Sequence, residues 1–153
     1  MVEDREAPRA NVPAAPKELL ISKHPRANGV ICVVLAVLLA GASAVCFWPS
    51  TVAGALTGPA VASFLLALVT VFIAVLAFRL GRQSSAAHSI LGPLRLLGIL
   101  AVAVGVAGVA LGFIFGATTG SIVAVGAGVG LVVVSIVVAA QAALVYGAAT
   151  SRS

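Results

Sequence analysis

The sequence predicts an all-α membrane protein with four transmembrane helices in an antiparallel bundle, preceded by a proline-rich cytoplasmic arm. One observation is compositional. Of the 153 residues, 61% are hydrophobic and only 8% are charged, whereas about a quarter of the residues are charged in an ordinary soluble domain. The other observation is the position of the charges, which leaves two long uncharged stretches. Both observations point to segments that are buried in lipid.

The charges are concentrated in the first part of the chain. Residues 1–28 contain all four acidic residues and five of the nine basic residues. The remaining bases are Arg79, Arg82, Arg95 and Arg152. Between Arg26 and Arg79 lie 52 uncharged residues, and between Arg95 and Arg152 lie 56. Since a helix crosses the hydrocarbon core in about 20 residues, each uncharged stretch is long enough for two crossings and a turn.

Proline and glycine indicate where each pair of crossings turns. Turn-forming residues occupy the segment from Pro49 to Pro59 and the segment from Thr118 to Ser121. Pro59 and Pro93 are each expected in the first turn of a helix, where the missing N–H costs nothing. The predicted arm is 1–28 and the predicted transmembrane domain is 29–153, with spans at about 29–48, 59–80, 93–116 and 121–147.

The basic residues also predict an orientation in the membrane. All nine lie in the arm, in the loop 79–95 or at Arg152, on one side of the predicted membrane. The positive-inside rule then places both termini in the cytoplasm, for a multi-pass protein of the cell (inner or plasma) membrane. Arg79, Arg82 and Arg95 are expected to set this topology or to contact anionic lipid headgroups. A signal peptide ending at Ala42-Ser43-Ala44 is the alternative, disfavoured by its long acidic leader.

Small residues form stripes on the predicted helices. In the second helix they recur at alternating spacings of three and four, the period of a left-handed supercoil, and small side chains allow the close approach that holds helices together in lipid. The third and fourth helices contain GxxxG patterns, which predict a tight crossing between them or a docking surface for another subunit. The fourth helix also has a series at intervals of seven: Ser121, Gly128, Ser135 and Ala142. The predicted helix-packing residues are Ala60, Ser63, Ala67, Thr70, Ala74, Ala77, Gly105, Gly108, Gly112, Gly116, Gly126 and Gly130.

The predicted spans contain no acidic or histidine residue, and their two basic residues, Arg79 and Arg95, lie at the span ends. Proton-coupled carriers and pumps depend on ionisable residues at membrane depth. His24 and His88 fall outside the spans and have no partner at ligand spacing. Gln141 is the strongest polar group in a span; we expect it to reach the membrane interface, with a bond across helices as the alternative. We therefore predict that the protein is not an enzyme and has no catalytic residue, cofactor or metal site.

In size, four-span layout and Ala, Val and Gly content, the chain resembles small accessory subunits of actinobacterial respiratory supercomplexes. The resemblance implies a protein beside cytochrome oxidase or cytochrome bc subunits that binds neither haem nor copper. We expect a non-catalytic accessory subunit of a larger membrane complex, with other integral membrane subunits and membrane lipids, but no nucleic acid, as partners. Leu19, Leu20 and Ile21 of the arm are expected to dock on such a partner. The alternative is a self-assembling four-span protein that forms a small pore or passive facilitator.

Overall fold

The computed structural model describes residues 25–47, 53–82 and 87–151. Within these ranges the chain forms α1 (Pro25–Phe47), α2 (Ala53–Arg82), α3 (Ala87–Thr119) and α4 (Ile122–Thr150). Each helix is long and apolar enough to cross a membrane. The prediction of four helices that are long and apolar enough to span a membrane is confirmed, and their length and composition are those of a multi-pass membrane protein. Most of the predicted arm, including Leu19, Leu20 and Ile21, lies outside the described residues.

The prediction that Pro59 and Pro93 begin their helices is wrong. Each proline is the seventh residue of its helix, because α2 begins at Ala53 and α3 begins at Ala87. The residues before each proline gain contacts by being helical, since Ala55 and Ile90 are both about 95% buried. A proline removes only one backbone hydrogen bond from the ladder, and transmembrane helices tolerate that loss. Burial of the preceding turn therefore outweighs the preference of proline for the first turn.

α2 is the central helix of the described fold. It packs against α1, α3 and α4, and half of its most apolar window is buried, compared with 22% in α1 and α3 and 28% in α4. Leu66, Ile73 and Leu80 of α2 are fully buried. Because a spacing of seven residues is about two helical turns, these three side chains lie on one face of α2, and all three belong to the same apolar core. The core of the protein is therefore built around α2.

Helices that follow one another in the chain contact each other at several points along their length. Gly98 of α3 lies opposite Ala142 of α4, and Gly112 lies opposite Gly128. In the other pair, Arg26 of α1 contacts Gly81 of α2, and the Ser43 side chain contacts Ala60.

Candidate functional site

The candidate site is the contact between α3 and α4, which begins at the two-residue connection Gly120-Ser121. Gly120 has a φ of +65°, in the left-handed region that glycine adopts without steric cost. The Ser121 N–H donates to the Gly116 carbonyl oxygen at 3.1 Å, which is the pattern of a Schellman motif at a helix C-terminus. The turn therefore ends α3 and starts α4 within two residues, so the two helices must pack side by side.

Gly112 and Gly128 form the closest approach between the two helices. A Cβ atom at Gly112 would lie 2.8 Å from the Ala124 carbonyl oxygen and 2.8 Å from Gly128 Cα. A Cβ atom at Gly128 would lie 2.9 Å from the Gly108 carbonyl oxygen. All these neighbouring atoms belong to the backbone, so no side-chain rotation relieves the clash. Only glycine fits at either position, which is the close approach that GxxxG patterns permit.

Three further glycines of α3 face side chains of α4. A Cβ atom at Gly105 would lie 2.5 Å from Ser135 Cβ and would also clash with Ser135 Oγ. At Gly108 it would lie 2.9 Å from Leu131 Cδ1, and at Gly116 it would lie 2.5 Å from Val125 Cγ2. The glycines thus form a groove that receives α4 side chains. Gly105, Gly108, Gly112 and Gly116, which the sequence singled out, all lie in this contact and are all buried.

Gly126 and Gly130 do not lie in this contact, so of the two predicted roles of the GxxxG patterns, a crossing with the third helix or a docking surface for another subunit, the first does not apply to them. Both are exposed, and a Cβ atom at either would meet nothing within 4 Å. Gly128, midway between them, makes the contact instead. The spacing of seven through Gly128, Ser135 and Ala142 was the sequence signal for this face, and all three residues are buried. The GxxxG spacing alone does not distinguish the inward face of the helix from the outward one, because it fits either.

The small-residue stripe of α2 lies in the interior. Thr70 is fully buried, and its hydroxyl donates to the Leu66 carbonyl oxygen of its own helix at 2.7 Å. This bond satisfies the polar group without help from another helix, as is common for threonine in a transmembrane segment. The buried members of the stripe are Ala60, Ser63, Ala67, Thr70, Ala74 and Ala77, none more than 8% exposed.

α1 and α2 make a looser contact in which side chains fill the space. A Cβ atom at Gly29 would lie 3.1 Å from the outer edge of the Phe78 ring, and a phenyl ring is able to shift slightly. The Ser43 hydroxyl donates to the Ala60 carbonyl oxygen at 3.1 Å. This bond is a polar link between helices, a type that contributes about 0.6 kcal/mol on average in membranes.

Two amide side chains have buried polar atoms without a hydrogen-bond partner in the described part of the chain. Asn28 is fully buried, and neither its Oδ1 nor its Nδ2 is bonded. The Oε1 atom of Gln141 is likewise buried and unbonded, so this atom makes no bond across the described helices. The Gln141 side chain as a whole is half-buried, and the expectation that it reaches the membrane interface stays a prediction. The predicted arm, 1–28, included Asn28 because its limit followed the charged residues, whereas Asn28 lies in α1.

The arginines of the described residues lie at one end of the bundle. Arg26, Arg79, Arg82 and Arg95 are exposed, and the Arg26 guanidinium donates to the Gly81 carbonyl oxygen at 3.4 Å. Arg79 and Arg82 lie near the end of α2, and Arg95 lies near the start of α3, on either side of the connection between these helices. The described residues contain no group of three His, Cys, Asp or Glu side chains placed to hold a metal ion.

The structure thus presents a packing site rather than a cluster of reactive side chains in its described part. Comparisons of this chain with protein-family models, with curated proteins and with solved structures gave no match.

Proposed function

We propose that this protein is a non-catalytic accessory subunit of a larger membrane complex, and that its helices dock on other integral membrane subunits. The observation that carries the proposal is the outward face of α4. Gly126 and Gly130 are exposed and uncovered within the chain, although their spacing is the one that lets a second helix approach closely in lipid. The GxxxG pair is available to a neighbouring subunit because the fold itself does not use it.

The composition of the remaining surface supports the same function. Large apolar side chains are exposed on every helix, among them Leu38, Phe72, Ile99 and Val133. Such a surface suits contact with lipid and with other transmembrane helices. The resemblance to small subunits of actinobacterial respiratory supercomplexes makes a respiratory oxidase assembly one example of the proposed complex. In that setting the antiparallel bundle would stand beside the catalytic subunits in the cell membrane, and this chain would bind no haem or copper.

Affinity purification from native membranes tests the proposal. We expect the tagged full-length chain to recover large, unrelated membrane subunits, and Gly126→Leu with Gly130→Leu to recover fewer, because the added side chains fill the docking face. Gly92→Leu is the matched control, since Gly92 is also exposed and a Cβ atom there meets nothing within 4 Å. Equal recovery by the double variant and the control would contradict docking through this face.

The second candidate is a homo-oligomer that forms a small pore or passive facilitator, and the same exposed glycines favour it. In this case the partner of Gly126 and Gly130 is a second copy of α4. Native mass spectrometry in mild detergent separates the two functions. A single mass that is a multiple of the chain supports the pore, whereas a complex with larger, different subunits supports the accessory role.

The arm provides a second attachment in the accessory function. Residues 1–26 carry five bases and four acids, so their charges nearly cancel and attraction to anionic lipid is weak. A partner protein is the better binding site for Leu19, Leu20 and Ile21. We expect deletion of residues 1–22 to leave the four helices inserted but to lower retention in the native complex. Equal retention of the truncated and full-length chains would mean that assembly rests on the helices alone.

The proposed orientation, with both termini in the cytoplasm, is tested by cysteine labelling. In a variant without Cys32 and Cys46, an impermeant thiol reagent applied to intact cells is expected to label Thr118→Cys but neither Ser85→Cys nor Ser151→Cys. Thr118 and Ser151 are both exposed and lie near opposite ends of α4. Labelling of Ser151→Cys or Ser85→Cys in intact cells would reverse the orientation.

A further inference from the structure

A groove of about 720 Å³ runs along the outer surface between α3 and α4. Its walls include Gly98 and Val102 of α3 and Ala139 and Ala143 of α4, and its rim includes Arg95 and Tyr146. The groove is a surface feature distinct from the glycine contact, and the docking face of the proposed function does not include it.

Small side chains leave this groove open where the helices diverge. At Gly112 the two backbones touch, but at Gly98 an added Cβ atom would lie 3.6 Å from Ala142 Cβ, an ordinary van der Waals distance. The helices are therefore farther apart near Arg95 than near the turn. Ala103, Ala139 and Ala143 are too small to fill the resulting space, which leaves an apolar channel with a single charged group at its rim.

The charge at the rim has no acidic partner in the transmembrane part of the chain. Arg95 is exposed, and the sequence contains no Asp or Glu after Glu18. Gly98 lies opposite Ala142. Arg95 is about one helical turn before Gly98, and Tyr146 is about one turn after Ala142, so Arg95 and Tyr146 lie at the same level of the bundle. An arginine at headgroup depth is a donor suited to a phosphate, which it binds through two parallel N–H groups.

The length of the groove matches one leaflet of the bilayer. From Leu94 to Ala103 α3 rises about 14 Å, and one half of the ~30 Å hydrocarbon core is about 15 Å. The volume also lies within the range of ordinary small-molecule sites, about 300–1,000 Å³. An acyl chain lying in the groove would have its headgroup beside Arg95 and Tyr146.

We propose that the α3–α4 groove is a binding site for an anionic phospholipid, with one acyl chain between the helices and the phosphate on Arg95. The groove between α1 and α2 provides an internal contrast. Its volume is about 390 Å³, and every residue that lines it is apolar, including Val37, Ala40 and Phe64. That groove accommodates acyl chains of any lipid, whereas the α3–α4 groove selects for a negative headgroup.

The test measures lipid retention by the full-length protein in mild detergent, using native mass spectrometry. Phosphatidylglycerol and phosphatidylcholine with identical acyl chains are titrated in parallel. We expect wild-type protein to prefer phosphatidylglycerol, and Arg95→Gln to lose about fivefold of that preference, the effect of one arginine near a membrane surface. Arg95→Lys is expected to keep most of the preference. Arg79→Gln is the matched control, because Arg79 is an exposed arginine that does not line the groove.

A second pair of variants tests the acyl-chain channel. Ala103→Leu fills the groove and is expected to weaken binding of both lipids. Ala107→Leu, one helical turn away and also exposed, is expected to leave the binding of both lipids unchanged. Unchanged thermal unfolding of these variants verifies that each is folded. An unaltered preference in Arg95→Gln, an equal loss in Arg79→Gln, or equal binding by Ala103→Leu and Ala107→Leu would each overturn the proposal.

Discussion

The α1–α2 pair and the α3–α4 pair are held together by different kinds of contact. Between α3 and α4, Gly112 and Gly128 bring backbone against backbone, and the connection is only two residues long. Between α1 and α2, the Phe78 ring covers Gly29 and a serine hydroxyl bonds a carbonyl oxygen. Backbone atoms in contact cannot move apart by a change of rotamer, whereas a side chain in contact can. We therefore expect the α3–α4 pair to be rigid and intolerant of substitution, and the α1–α2 pair to be adaptable.

Gly112→Leu is expected to have the largest effect on stability. Because the nearest atoms to an added Cβ are backbone atoms at 2.8 Å, the two helices must separate. Overpacking of this kind costs about 3 kcal/mol. Thermal unfolding in detergent checks the loss, with Gly126→Leu as the control in which the same side chain meets open space. Similar unfolding temperatures for the two variants would remove the distinction between inner and outer glycines.

Gly120→Ala is expected to cost about 1–2 kcal/mol, the penalty for a side chain in the left-handed region. The α3–α4 turn depends on this one positive φ, so the variant tests the connection separately from the crossing. Gly54→Ala serves as the control, because a Cβ atom there meets nothing within 4 Å. If Gly120→Ala were as stable as wild type, the turn would have another conformation available to it.

Gly29→Ala tests whether the α1–α2 contact adapts. The added Cβ would lie 3.1 Å from Phe78 Cζ, a distance that a small movement of the ring relieves. We expect a loss of about 1 kcal/mol or less in the free energy of unfolding. In a chain that also carries Phe78→Leu, adding Gly29→Ala is expected to cause no further loss, because the ring that the new Cβ would meet is absent. A cost as large as that of Gly112→Leu would show that the α1–α2 pair is also rigid.

Ser43→Ala is expected to have the smallest effect, about 0.6 kcal/mol, because it removes one hydrogen bond between helices in lipid. The hydroxyl bonds the Ala60 carbonyl oxygen, so the loss weakens the link between α1 and α2. Thr70→Val is the comparison, since the Thr70 hydroxyl bonds only its own helix. Chemical unfolding of both variants measures the difference, and a larger loss for Thr70→Val would reverse the expected order.

The number and approximate position of the helices follow from the sequence alone. A long uncharged segment is stable in hydrocarbon as a helix because every backbone group bonds within the segment, and this holds for each helix regardless of its neighbours. The stripe from Ala60 to Ala77 was also predictable as one face, since its spacing follows the helical period. Arg26 and Arg79 border the first uncharged stretch, and its limits were predictable because they depend only on the residues of that segment.

The tertiary structure decided which face of each helix is inside. Gly126 and Gly128 are about 200° apart around α4, since each residue turns the helix by about 100°, so one rotation of α4 buries Gly128 and exposes Gly126 and Gly130. That rotation depends on the whole surface of α3, including the glycines that receive Val125, Leu131 and Ser135. The helix starts before Pro59 and Pro93 were decided in the same way. In both cases the stabilising free energy comes from contacts between helices, and these contacts cannot be read from the residues of one helix alone.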